Sequence, residues 1–334
     1  MSVKHSLFKD ELDVFHSPVQ TFSKIISQAQ GTFSMLSVTV EQRGRSRDCA
    51  GCIGVRSSDR IVAVSSEKCE RAITRALSVG GAMRYSTGGV RDYIPNGCGG
   101  PDLSQTIPEV RAFQAWYGFG GHVAVSTWEN GNVWGSDFRD DGGDIDPSGG
   151  SDLPDIYLFA GHGSCESSPG AATDPDFIIT CGNFGTPNVV NIGTSSRWGN
   201  GSGDLRFMFV DASCPMDLVS LANDWFPVFQ GLHMATGHSG NSGADALDSP
   251  SRGSQLGART TGLPFPLSWL YPQQSVGDAW MDAGTIDIQS GCSAVALAVG
   301  ATEQDAVDRR ENERVTDNRA KPAANWAAWK WRTA

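Results

Sequence analysis

The sequence predicts an α/β protein, a three-layer sandwich built on a largely parallel sheet, and three observations carry that prediction. Two short apolar runs, within Asp155–Ala160 and Leu205–Asp211, are bounded by turn residues and read as buried strands. Two more, Leu232–His238 and Ser293–Gly300, repeat the pattern. Between and after them lie segments with helix-forming composition, Met216–Asn223, Pro264–Leu270 and Val276–Ala283. Buried strands alternating with helices are the signature of a parallel sheet covered on its faces.

In chain order, residues 1–104 read as an accessory region. Phe8, Leu12, Val14, Phe15, Ile25 and Ile26 are its candidate core contacts, and Cys69–Leu77 has helical spacing. Cys49 and Cys52 form a CxxC, but Cys69 and Cys98 are isolated, so a zinc site lacks its second close pair and ordinary thiols are the simpler reading. Gly88–Gly100 is turn-rich and reads as a linker. The α/β domain is expected over 105–301, opening with strand-like segments at Arg111–Phe119 and His122–Trp128. An acidic loop follows over 137–155, with Asp140, Asp141, Asp144, Asp146 and Asp152 among glycines. Clustered carboxylates offer calcium its oxygen ligands, yet the EF-hand spacing and terminal glutamate are missing, and a solvated loop explains the run as well. Residues 302–334 are expected to form a charged tail, exposed over about 302–320, and Trp326, Trp329 and Trp331 at its end are expected to pack back on a surface or meet a partner.

Composition narrows the partners. A formal charge of −11 disfavours a nucleic-acid backbone or an anionic membrane surface. Neither a signal peptide nor an apolar run of membrane-spanning length is present, which points to the cytoplasm and to reduced thiols for the eight cysteines.

The chemistry is concentrated at two strand ends. Residues Asp155–Ala160 run into Gly161-His162-Gly163, and Leu205–Asp211 runs into Ala212-Ser213-Cys214. Open α/β sheets place their ligands at the carboxyl ends of strands. Were the two ends neighbours, His162 would take the proton of Cys214, and the thiolate would attack a carbonyl carbon. Backbone N–H groups of Gly163 and of Cys214 itself would hold the oxyanion. Around the pair, Asp211, Ser213 and His238 are the candidate substrate-binding residues, His238 being also an alternative base. Cys165 is a rival nucleophile or a disulfide partner of Cys214. No metal is expected at the pair.

An apolar strand ending in Gly-His-Gly, then about fifty residues, then an apolar strand ending in Asp-Ala-Ser-Cys, resembles the caspase-like cysteine peptidases. That group includes caspases, metacaspases, legumain, gingipains, clostripain and separase. Closer still is the similarity to an uncharacterised bacterial family of that fold, through Ala115–Phe119, Val133–Phe138, Gly161–Ser164 and Trp225–His233. The resemblance covers about 105–301. It implies a caspase-like sheet, catalytic residues Cys214, His162 and Gly163, no cofactor, and a peptide or small amide or ester as substrate. Two departures stand out. Pro215 follows the cysteine where many members have glycine. Asp211 lies three positions before it rather than two, on the strand face opposite the cysteine's, which counts against a basic specificity. A tailoring or cyclising enzyme of a biosynthetic pathway, or an interaction protein with an inert pair, fits the same pattern.

Overall fold

The computed structural model describes residues 55–57, 60–62, 82–95, 101–139, 151–164, 177–180, 189–199, 204–216, 225–240, 249–262, 271–286 and 288–333. The chain divides into two units, Met1–Val79 and Gly80–Ala334. In the first, β1 (Val55–Ser57) and β2 (Arg60–Val62) pair antiparallel, Val55 opposite Val62. The candidate core residues, helix and CxxC expected before residue 80 lie outside the described residues.

The second unit is built on seven strands: β3 (Arg84–Gly89), β4 (Val123–Glu129), β5 (Ile156–Ala160), β9 (Phe207–Asp211), β10 (Met234–Ser239), β11 (Ser293–Gly300) and β12 (Trp326–Thr333). Their order across the sheet is β12-β11-β10-β9-β5-β3-β4. Every pairing from β4 to β10 is parallel; β11 and β12 close one side antiparallel. A second, small antiparallel sheet joins β6 (His162–Ser164), β7 (Phe177–Ile179) and β8 (Val189–Asn191).

Among the described residues, four helices of eight or more residues accompany the sheet: α1 (Thr106–Phe119), α2 (Ser249–Thr261), α3 (Val276–Gly284) and α4 (Glu303–Asn312). Both faces of the sheet are covered, so each residue of β5, β9 and β11 is buried, and these strands are apolar but for Asp211 and the ends of β11. On one face Ile156, Leu158, Phe207, Phe209 and the alanines of β11 pack against Val110, Phe113 and Tyr117 of α1 and Trp280 of α3. On the other, Tyr157, Phe159, Met208, Val210 and the larger residues of β11 pack against Phe138, Trp198 and Trp225. The small-large alternation of β11 thus follows its neighbours. A Cβ on Gly284 of α3 would lie only 3.0 Å from the Ala294 Cβ, so α3 approaches β11 closely at this point.

Three sequence expectations change here. Arg111–Phe119 is helix, not strand: Ile107, Val110, Phe113 and Tyr117 recur at helical spacing and give α1 one buried stripe. The linker read over 88–100 contains the end of β3, a central strand, and the sheet therefore begins before 105. The charged tail is structural, because all eight residues of β12 pair with β11. Charge had suggested exposure, but it is spent in fixed pairs. Glu313 is fully buried, with His233 Nδ1 at 2.6 Å and Arg309 Nη1 at 3.3 Å, and Arg309 also binds Asp305 at 3.1 Å. These ties hold the segment after α4 to β10. The expected helices at 216–223 and 264–270 lie almost wholly outside the described residues; Val276–Gly284 is helical as read.

Candidate active site

Strands β5 and β9 are adjacent and parallel, in the register Ile156–Phe207 to Ala160–Asp211. One further hydrogen bond, from Gly161 N–H to Asp211 O at 3.0 Å, carries the ladder one residue past β5. The two chemistry-bearing ends are therefore neighbours, as the sequence suggested. Beyond that point the chains stay in contact. A Cβ on Gly163 would lie 2.0 Å from Ser213 O, so only glycine fits there.

His162 opens β6 and is half-buried. Its N–H donates to Tyr93 Oη at 2.8 Å, and the two rings are 4.5 Å apart. Its Nε2 lies 2.7 Å from Pro101 O. A carbonyl oxygen only accepts, so Nε2 carries the proton in that bond, and the neutral ring keeps Nδ1 as its basic nitrogen. Tyr93 is buried, which pushes its hydroxyl far above the usual phenol range despite its bond to His162; it is a fixed neutral group at this site. Tyr93 follows β3, and β3 and β5 flank the point where the strand order reverses, the usual crevice of such sheets.

Cys214 sits in the turn after β9 with φ at 58°, a left-handed conformation that costs a non-glycine residue on the order of 1 kcal/mol. It is held there. Its N–H donates to Gly240 O at 2.8 Å, Met216 N–H donates to His238 O at 3.1 Å, and Trp225 Nε1 donates to Pro215 O at 2.7 Å. Pro215 serves this clamp in place of the expected glycine. The amide of Cys214 is thus committed to Gly240 and is not the oxyanion donor the sequence suggested. The sulfur is 7% exposed at residue level and is disulfide-bonded. That corrects the expectation of a reduced thiol at Cys214. Cys165, the partner considered from sequence, lies outside the described residues, while Cys292 is a buried thiol whose sulfur packs on Gly240.

Asp211 and His238, expected to meet substrate, are fully buried on the helix side of the sheet. Arg252 of α2 binds Asp211 Oδ2 through Nη1 and donates from Nη2 to Ile286 O at 2.7 Å. His238 Nε2 lies 3.2 Å from Asp211 Oδ1, an ion-pair distance with poor hydrogen-bond alignment. Glu109 of α1 completes the group. Burial alone would raise the Asp211 carboxyl, but the Arg252 charge and His238 outweigh it and hold it well below the ordinary range. Burial, then the Asp211 charge, pushes Glu109 well above that range. Burial likewise lowers His238 in spite of Asp211. The group anchors the root of the Cys214 turn rather than touching substrate. Ser213, half-buried, contributes its carbonyl to the Gly163 contact.

Sequence reasoning missed Tyr93, Glu109 and Arg252. None carries a motif; each comes from an element distant in sequence, and no local spacing marks them. The acidic loop also resolves differently from a solvated run at its ends. Asp137 accepts from Trp134 N–H at 2.8 Å, Asp152 from Gly199 N–H at 2.6 Å and Asp155 from Arg84 N–H at 2.7 Å. Asp140, Asp141, Asp144 and Asp146 lie outside the described residues. Among the described residues no cluster of three or more metal-ligating side chains occurs, and no helix is long and apolar enough to cross a membrane.

No curated protein and no solved structure matches the chain. A family model described as a domain of unknown function, DUF6345, matches residues 88–333, which takes in the sheet from the end of β3 to β12 and both candidate catalytic residues. The chain therefore belongs to the DUF6345 family.

Proposed function

We propose that this protein is a cysteine-dependent hydrolase or acyl transferase on a three-layer, caspase-like sandwich, acting on a peptide or a small amide or ester. The observation that carries the reading is the register of β5 with β9, which brings His162 and Cys214 to neighbouring strand ends. Cys214 is the nucleophile once its disulfide has been opened by a dithiol, which is oxidised as the bond is reduced. His162 Nδ1 then takes the thiol proton, the thiolate adds to the carbonyl carbon, and Gly163 N–H faces the oxyanion. Collapse expels the amine or alcohol, which leaves with the proton from the imidazolium. Water or a second amine resolves the thioester.

The test is thiol labelling of the reduced protein at neutral pH with iodoacetamide or a peptidyl electrophile, with the site mapped by mass spectrometry. Labelling at Cys214 only after reduction is expected, slowed about 10²-fold in His162→Ala. An inert Cys214 beside a labelled thiol elsewhere would sink the proposal. One observation favours a second reading, an interaction protein with an inert pair: the sulfur of Cys214 is disulfide-bonded. Equal labelling rates in the wild type and His162→Ala would select it.

A further inference from the structure

Tyr93 lies just past β3, is fully buried, and reaches the chain where it leaves β5. Its hydroxyl oxygen accepts the His162 N–H at 2.8 Å, and its ring packs on the imidazole with centroids 4.5 Å apart. The first glycine of Gly161-His162-Gly163 makes room for it. A Cβ on Gly161 would lie 2.6 Å from Tyr93 Oη, against the very hydroxyl that holds the next residue. The two glycines therefore serve different partners: Gly163 admits the Ser213 carbonyl, and Gly161 admits this hydroxyl.

The tyrosine is itself fixed by its surroundings. Val90 N–H donates to Ala160 O at 3.0 Å, which ties the chain leading to Tyr93 to the end of β5. Leu103 N–H donates to Arg91 O at 2.9 Å and Ile94 N–H to Asp102 Oδ1 at 2.8 Å, which join it to the stretch carrying Pro101. Asn130, with φ at 52° just after β4, accepts from the N–H groups of Arg91 at 2.8 Å and Asp92 at 3.0 Å. A bond at the backbone N–H and a contact on the ring fix both where His162 sits and how its imidazole lies. A general base works only within about 2.6–3.2 Å of the proton it takes, so that placement bears on reactivity.

We propose that Tyr93 is a positioning residue for the proposed reaction, holding the His162 imidazole within reach of the Cys214 thiol. The proposal rests on the reading of His162 as the base for Cys214. Tyr93 acts through His162 alone, by its hydroxyl on the backbone and its ring on the imidazole.

The reduced, desalted protein is to be labelled with iodoacetamide across pH, with the rate at Cys214 followed by mass spectrometry. In the wild type the rate is expected to rise with an inflection below the ordinary thiol value of about 8.5. Tyr93→Phe, with unchanged circular dichroism, is expected to label about 10-fold more slowly at neutral pH and to move the inflection up toward that ordinary value, since a displaced imidazole supports the thiolate poorly. Added to His162→Ala, the same substitution is expected to slow labelling no further. Asn130→Ala is the second variant should Tyr93→Phe not fold; the same upward movement is expected, and an unmoved inflection would overturn the proposal. Equal profiles for the wild type and His162→Ala would end the pairing itself, and with it any role for Tyr93. A slow His162→Ala beside a Tyr93→Phe that behaves as wild type would overturn the positioning role alone. Equal slowing by Tyr93→Phe with and without His162 would show a purely structural role and overturn it as well.

Discussion

Arg252 is the side chain on which the candidate site depends most without forming part of its chemistry. It lies buried between Asp211 at the root of the Cys214 turn and the Ile286 carbonyl, so it ties β9 to the start of the loop after α3. Removing it leaves a buried carboxylate with no cation. Arg252→Met is expected to cost about 3–5 kcal/mol at neutral pH, read from urea unfolding. The pH dependence has a definite sign. In the wild type the Asp211 carboxyl is held below its unfolded value, so its contribution is present above the unfolded pKa of about 3.9 and is lost as pH falls toward the folded one. In the variant burial raises the same carboxyl, and acidification relieves the strain. The gap between the two proteins should therefore narrow below about pH 5. A gap independent of pH would show that Arg252 acts through packing alone. The legibility of the site follows the same division. His162 and Cys214 announce themselves because each ends an apolar run. Tyr93, Glu109 and Arg252 do not, because a residue's partner across a sheet or under a helix leaves no mark on its own neighbours in sequence.

At the level of elements, the charge of about 302–320 suggests an exposed tail, and the tryptophans after it suggest packing on a surface or a partner. The residues of α4 and β12 instead complete the sheet: Ala328 covers Ala298, and Glu313 is buried between His233 and Arg309. A chain ending at 301 would expose the row Ala294, Ala296 and Ala298 and strand His233 without its carboxylate. It is expected to lose cooperative unfolding or to be recovered insoluble, as judged by circular dichroism and solubility against the full chain. A soluble, cooperatively folding product would show the added strand to be dispensable. The helix α1 was misread for a related reason. Arg111–Phe119 mixes aromatic and small residues whose order suits either a strand or a helix, and the choice fell to the tertiary contact. Its stripe matches the face of β5 and β9, and α2 fits closely against it because Gly253 and Gly257 have no Cβ to meet Glu109 O and Trp116.

The whole molecule has a consistent response to acid. His122, His233 and His238 are all lowered by burial, partly opposed by Asp155, Glu313 and Asp211 respectively. Each is neutral in the fold and gains a proton more readily when unfolded. Stability from these groups is therefore present above the unfolded pKa of about 6.5 and falls as pH drops below it, toward the folded values. Thermal melts are expected to show a marked loss between about pH 6.5 and 5, and His238→Gln should flatten that slope. A stability constant across this range would contradict the burial of the three rings.

By itself the sequence determined β5, β9, β10 and β11 and the two residues that follow the middle strands, because continuous apolar runs closed by turn residues are local signals. It also determined that the C-terminal strand is rich in tryptophan. The tertiary structure alone decided the order of the strands, the membership of β3 and β12, the disulfide state of Cys214 and the buried Glu109–Asp211–His238–Arg252 group. Those depend on which distant segments pack together, and packing is set by complementary surfaces rather than by the spacing of residues along one chain.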